Sequence, residues 1–122
     1  MDSAKRAAFL AAEYRAFSAA AAAGNIAEAW AHLERVHIVA QPAFGAHLRS
    51  HWAMLSYAMR LHDWREAAGQ AYRLTLAPLG NLTGRLPVGN TGRADVSAFL
   101  HMPIPAELQA LTPSNSAGQL TD

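Results

Sequence analysis

The chain contains no cysteine. Disulfides, thiolate chemistry and cysteine-based zinc sites are therefore excluded, and any metal site must be built from nitrogen and oxygen. There is no run of eighteen apolar residues, so no membrane span is predicted. Charge of one sign is also missing: ten Lys+Arg stand against nine Asp+Glu, a net +1. Residues 1–40 are neutral, 41–78 carry +2 and 79–122 carry −1. That leaves no basic stripe for a nucleic-acid backbone and no acidic block for a solvating tail.

What remains is 122 residues, 52% of them apolar, too many for a disordered chain. Much of that fraction is alanine, so the core is thinner than the figure suggests. The length predicts one domain, residues 1–111, with "TPSNSAGQLTD" at 112–122 as a disordered tail. The opening "MDSAKRAAFLAAEYRAFSAAAAAG" has the basic residues of a leader at Lys5 and Arg6. Glu13 and Arg15 interrupt what would be its apolar stretch, so an ordinary helix of a cytoplasmic protein is expected.

Apolar spacing predicts an all-α fold of two helical hairpins. The first helix, 3–23, carries the stripe Leu10, Tyr14, Phe17, Ala21 and breaks at Gly24-Asn25. The second, 26–40, carries Ile26, Trp30, Leu33, His37 and Ala40, and stops at Gln41-Pro42. The third, 43–61, carries Phe44, Leu48, His51, Leu55 and Ala58. The fourth, 64–77, is expected to end at Pro78.

Two helix starts match at an offset of 38: "GNIAEAW" at 24–30 and "HDWREAA" at 62–68. Asn25 and Asp63 are N-cap types with Glu28 and Glu66 three residues on, the spacing of a capping box. The small residues and paired helices fit a tetratricopeptide-like arrangement or a four-helix bundle.

From Leu79 the character changes. Residues 79–108 hold four of the eight glycines and three of the six prolines, which predicts a long irregular segment wrapped on the helices. Val96, Phe99, Leu100, Met102 and Ile104 are its expected anchors, and Pro105 could open a short helix over 106–111.

Chemistry concentrates in "ERVHIVAQPAFGAHLRSH", residues 34–51, with three of the six histidines. Glu34 and His37 are i, i+3 on one helix, and His47 and His51 are i, i+4 on the next. Helices joined by a short turn pack antiparallel roughly 8–10 Å apart. At ~1.5 Å per residue, His37 and His47 both fall roughly 6–8 Å from the turn. The two pairs are then level, and Glu34, His37, His47 and His51 could enclose one ion. "ERVH" is the Glu-x-x-His unit of helical carboxylate-metal proteins, but it occurs once, so a mononuclear site is favoured. Three imidazoles and a carboxylate suit zinc, copper, nickel, cobalt or ferrous iron. Gln41, Trp30 and Met54 are expected around this pocket. The competing reading is a buried polar network without metal. His32, His62 and His101 are assigned to the surface or loops.

"GRLPVGNTGR" at 84–93 gives tight turns. Arg85, Gly89, Asn90, Gly92 and Arg93 there are a weaker candidate for an anion nest or for a lid over the histidines. The strand and helix that a phosphate fingerprint needs are not present.

The stretches "AWAHLERVHIVAQP", "HLRSHWAM" and "GRLPVGNTGRADVSAFLHMPIP" together resemble a small bacterial family catalogued as domain of unknown function 3703. The likeness covers about residues 23–108, leaving the Ala-rich first helix outside. By that resemblance Glu34, His37, Gln41, His47 and His51 fall in the family's recurring pattern. Family members tend to be encoded among metal-resistance and mobile-element genes.

Three functions are therefore expected in order: metal handling or tolerance through one bound ion; a tetratricopeptide-like adaptor for a protein partner; and a mononuclear metal-dependent enzyme with Glu34 as general base. No Ser-His-Asp spacing and no paired carboxylates argue for other catalysis.

Overall fold

The computed structural model describes residues 3–83, 90–95 and 101–112. Four helices follow one another: α1 (Ser3–Ala22), α2 (Ile26–Ala40), α3 (Phe44–Arg60) and α4 (Trp64–Thr83). A 3-10 helix, Ala106–Leu111, comes last, and no strand occurs among the described residues. The fold is all-α. α1 packs on α2, α3 packs on α4, and α2 packs on α3; no interface of that extent joins α1 to α4.

The hairpin corners show why the chain turns where it does. At the end of α1, Gly24 takes φ +77°, and the Asn25 amide donates back to the Ala20 carbonyl at 2.9 Å. At the end of α3, His62 takes φ +56°, and the Asp63 amide donates back to the Ala58 carbonyl at 2.9 Å. A residue in the left-handed region followed by this long back-bond is the usual way to satisfy a helix's last carbonyls. The capping boxes are less complete than the sequence suggests. The Glu66 amide does donate to Asp63 Oδ1 at 3.1 Å, whereas Asn25 makes no side-chain cap bond. Neither glutamate takes the backbone amide of its cap residue: Glu28 is exposed and accepts from Asn25 Nδ2 at 3.5 Å, and Glu66 turns inward.

Small residues sit where the helices approach most closely. Ala20, Ala29, Ala58 and Ala67 are buried with Trp30, Leu33, Met54 and Tyr57 in one apolar cluster. Phe17 and Trp30 both meet the Tyr57 ring edge-on at 5.1 Å between centroids. A second cluster holds the C-terminal segment down. Leu108 is fully buried against Ile38 and Val39, with Phe9, Leu10, Ile104 and Leu111 around it. Arg35 pairs with Glu107 across the same junction at 2.9 Å.

Two expectations need correction. α3 buries His47, Ser50, His51, Met54, Tyr57 and Ala58, while Phe44 is half-exposed and Leu48 and Leu55 are only partly covered. The inward face is polar over its first half, His47, Ser50 and His51, so apolar spacing pointed one position aside. α4 does not end at Ala77; it continues through Pro78 to Thr83. Proline inside a helix removes one amide donor and costs about 3 kcal/mol. Here Asn81, in the turn beyond it, is tied to Gln41 at the α2–α3 corner and to His47 on α3.

Of the expected anchors, Ile104 packs in the second cluster and Met102 is half-buried. Val96, Phe99 and Leu100 lie outside the described residues, as do Arg85, Gly89 and residues 113–122 of the expected tail.

Candidate metal centre

The Gln41-Pro42 corner sets α2 and α3 side by side, and three imidazoles meet there. His37 comes from the last turn of α2, and His47 and His51 from adjacent turns of α3; all three are buried. His37 Nε2 lies 3.1 Å from His51 Nε2, which lies 3.1 Å from His47 Nε2. One nitrogen of each ring lies within 4.8 Å of the others, a group that could hold a metal ion.

The other nitrogen of each ring has its own oxygen. His37 Nδ1 donates to the Asn90 carbonyl at 2.6 Å, His47 Nδ1 to Asn81 Oδ1 at 2.7 Å, and His51 Nδ1 to Gln70 Oε1 at 2.8 Å. The amide orientations are fixed by what their nitrogens do. Gln70 Nε2 donates to Glu66 Oε2 at 2.8 Å and to the Gly92 carbonyl at 2.7 Å. Asn81 Nδ2 donates to the Gln41 carbonyl at 3.0 Å. An oxygen therefore faces each Nδ1, and a neutral imidazole carries only one N–H. The proton sits on Nδ1 in all three rings, and all three Nε2 atoms are bare.

Bare lone pairs 3.1 Å apart cannot hydrogen-bond to one another. A proton or a metal ion placed among them would reconcile them. The protein makes the proton a poor choice. Burial first, then the neighbouring His51 and His47, hold the His37 imidazole well below its usual value. Burial pushes His51 down to about 4, with the Gln70 hydrogen bond opposing, and burial likewise lowers His47 against its bond to Asn81.

The donor set fits a metal on three counts. The rings are neutral. Each Nδ1 is held by an oxygen, as metal-bound imidazoles almost always are. For metal–nitrogen bonds of ~2.0–2.1 Å, ligand nitrogens stand ~2.9–3.4 Å apart between octahedral and tetrahedral angles, a range that includes the two close separations.

Glu34 is not part of this group. Each α3 imidazole gives Nε2 to the cluster and Nδ1 to an amide oxygen, so three rings close the arrangement among themselves. Glu34 is half-buried one turn earlier on α2, in a charged layer with Arg93, Asp95 and Glu66. Burial raises its carboxyl above the usual value, with Arg93 opposing and Asp95 and Glu66 adding to the rise. Gln41 is buried, and its carbonyl anchors Asn81. Trp30 lies under the Arg93 guanidinium at 3.9 Å, and Met54 is in the apolar cluster below His51.

Residues 90–95 cross the site as a strap. Gly92 has φ +83°, and a Cβ there would stand 2.7 Å from two carbons of the His37 ring. The same atom added to Gly69 would overlap the Ala94 side chain. Glycine at both positions lets the strap close down on α2 and α4. Two of the strap's donors are used within the protein. The Gly92 amide bonds Asn90 Oδ1 at 2.8 Å, and Arg93 Nε bonds Glu66 Oε1 at 2.7 Å.

The remaining histidines stand apart. His32 bonds Glu13 at 2.6 Å between α1 and α2, His62 stacks on Trp64 at the hairpin corner, and His101 is exposed. Sequence reasoning missed Gln70, Asn81 and Glu66 as parts of the site. Gln70 and Glu66 are an i, i+4 pair whose inward direction was hidden by the cap reading. Asn81 was hidden behind Pro78.

The chain is thus an all-helical protein with a buried three-histidine group under a glycine-containing strap. A family model described as "Protein of unknown function (DUF3703)" matches residues 4–112, and the chain belongs to that family. The match takes in α1, which the resemblance quoted above had left outside. No curated protein and no solved structure matches the chain. Among the described residues, no helix is long and apolar enough to cross a membrane.

Proposed function

We propose that this protein binds one transition-metal ion through Nε2 of His37, His47 and His51, and that its role is metal handling or tolerance in the cytoplasm. The observation that carries this reading is the convergence of three bare nitrogens, each with its Nδ1–H already committed to an oxygen. A polar network without metal would be expected to alternate donors and acceptors; this one presents acceptors to acceptors.

Zinc, copper, nickel, cobalt and ferrous iron all accept imidazole. Three neutral ligands leave the ion's charge undiminished and at least one position free for a further ligand. Glu34 supplies charge balance from the next layer instead of a bond.

Elemental analysis of purified protein tests the reading directly. Near one metal per chain is expected, and His37→Ala with His51→Ala together should abolish it. Metal added at a hundred times its Kd should stabilise the fold by about 2.7 kcal/mol. Metal-free protein whose melting temperature ignores all five ions would overturn the proposal.

That outcome would leave the adaptor reading, which rests on α4. Trp64, Tyr72, Leu79 and Leu82 are all exposed and fall within about 80° of one another around that helix. An apolar face of this kind marks a surface for a protein partner.

A further inference from the structure

Two of the three imidazoles trace back to a single carboxylate. Glu66 is buried in the first turn of α4, and its carboxylate accepts three bonds. Its Oε2 accepts from Gln70 Nε2 and from the Ala94 amide, both at 2.8 Å, and its Oε1 accepts from Arg93 Nε at 2.7 Å. The first bond, together with one from Gln70 Nε2 to the Gly92 carbonyl at 2.7 Å, turns the Gln70 amide so that its oxygen faces His51 Nδ1. The other two seat the strap, and the strap carries the Asn90 carbonyl that receives the His37 Nδ1 proton.

A Gln side chain left free could flip and offer its nitrogen to His51. His51 would then carry its proton on Nε2, inside the cluster. Neither the Glu66 carboxylate nor the Gly92 carbonyl on the strap has a donor to give, so the two together allow Gln70 only one orientation, and Glu66 also seats the strap that brings the second. His47 is held differently, by Asn81 and through it by the Gln41 carbonyl, with no link to Glu66.

We propose that Glu66 is the positioning residue of the three-histidine site: through Gln70 it fixes the tautomer of His51, and through Arg93 and Ala94 it seats the strap that fixes that of His37. Its effect on metal affinity rests on the metal reading above. Its effect on the tautomers does not, and can be read in metal-free protein.

The test is nitrogen NMR of the imidazole side chains at neutral pH without metal, followed by zinc titration. Wild-type protein should show Nδ1–H and bare Nε2 at all three positions. Glu66→Gln keeps the shape but can donate as well as accept. It should give mixed tautomers at His51 and His37, leave His47 unchanged, and weaken zinc by ~10–100-fold, the usual effect of losing a group that orients a metal ligand.

Gln70→Leu provides a second variant should Glu66→Gln fail to fold. It should release His51 foremost: the strap loses its Gly92 bond to Gln70 but keeps those of Arg93 and Ala94 to Glu66. Unchanged His51 and His37 signals in Glu66→Gln, or an unchanged His51 signal in Gln70→Leu, would overturn the proposal. So would equal zinc affinity in Glu66→Gln and wild type. Tautomers that respond as described in a protein that takes up no zinc would uphold the positioning role and overturn the metal reading instead.

Discussion

The two hairpins place a histidine contact at the same register and give it opposite chemistry. In the first, His32 on α2 bonds Glu13 on α1 at 2.6 Å; in the second, His51 on α3 bonds Gln70 on α4 at 2.8 Å. Glu13 and His51 are 38 residues apart, and so are His32 and Gln70, the offset that relates the two helix starts. Glu28 and Glu66 correspond likewise, one exposed beside its cap and one buried as a hub. Arg35 faces Glu13 and Glu107 at a partly exposed position, whereas Arg73 is buried. Burial explains the contrast. The first hairpin's pair keeps some solvent and can use a carboxylate against an imidazole. The second hairpin's ring is buried under the strap, where burial disfavours a charged imidazole and the neutral ring meets a neutral amide. One scaffold position thus serves as a structural tie in one copy and as part of a site in the other.

Acid should separate the two hairpins most strongly. The folded protein holds His51 neutral down to about 4, whereas the unfolded chain takes up that proton near 6.5. Between those values the unfolded state binds more protons, so stability is full above pH 6.5 and falls as pH drops. The slope is about 1.4 kcal/mol per unit, or about 3 kcal/mol over the window for His51 alone. His37 and His47, also shifted down by burial, steepen it. Denaturant melts at pH 7.0, 6.0 and 5.0 should show this loss. His51→Leu should flatten the slope; a slope unchanged by that substitution would mean that the buried rings do not govern it.

Two glycines with nearly the same backbone offer the next contrast. Gly24 and Gly92 have φ +77° and +83°, but a side chain at Gly24 would meet nothing within 4 Å, while one at Gly92 would press on the His37 ring. Alanine in a left-handed conformation costs about 1–2 kcal/mol at either place. At Gly92 overpacking adds about 1–3 kcal/mol. Gly92→Ala should therefore destabilise the protein by roughly twice as much as Gly24→Ala in chemical denaturation. It should weaken metal uptake as well, which Gly24→Ala should not.

The sequence carried the helices and most of the cluster, for reasons that particular residues make plain. The corners at Gly24-Asn25, Gln41-Pro42 and His62-Asp63 are local events, and i, i+4 spacing alone puts His47 and His51 on one face. Glu34 shares a face with His37, but spacing along one helix says nothing about how three rings from two helices pair their nitrogens. The partners of Nδ1 come from Gln70, Asn81 and Asn90, up to 53 residues away in sequence. Apolar periodicity misplaced the buried face of α3 because that face is rich in polar groups, and Pro78 concealed the turn that carries Asn81.

Removing the first hairpin's tie should be mild. The pair between His32 and Glu13 is partly solvated, with side chains 22% and 12% exposed, and such pairs contribute about 0.2–1 kcal/mol. His32→Ala should cost no more than about that and leave metal content unchanged. A loss of metal in this variant would mean that the two hairpins do not act separately.

The smallest effect is expected at the corner where the hairpins differ by a side chain. His62 occupies the left-handed position that Gly24 fills in the first hairpin, with the same long back-bond beside it. A non-glycine residue there carries a steric penalty that glycine does not. His62 is exposed and contributes a stack on Trp64 at 5.7 Å between ring centroids. His62→Gly removes the penalty and that contact together, and gives the unfolded chain more freedom to lose. The net should be a gain of about 0.5 kcal/mol, seen as a small rise in melting temperature with the acid slope unchanged. A fall instead would show that the ring stack, and not the backbone, decides how the second hairpin turns.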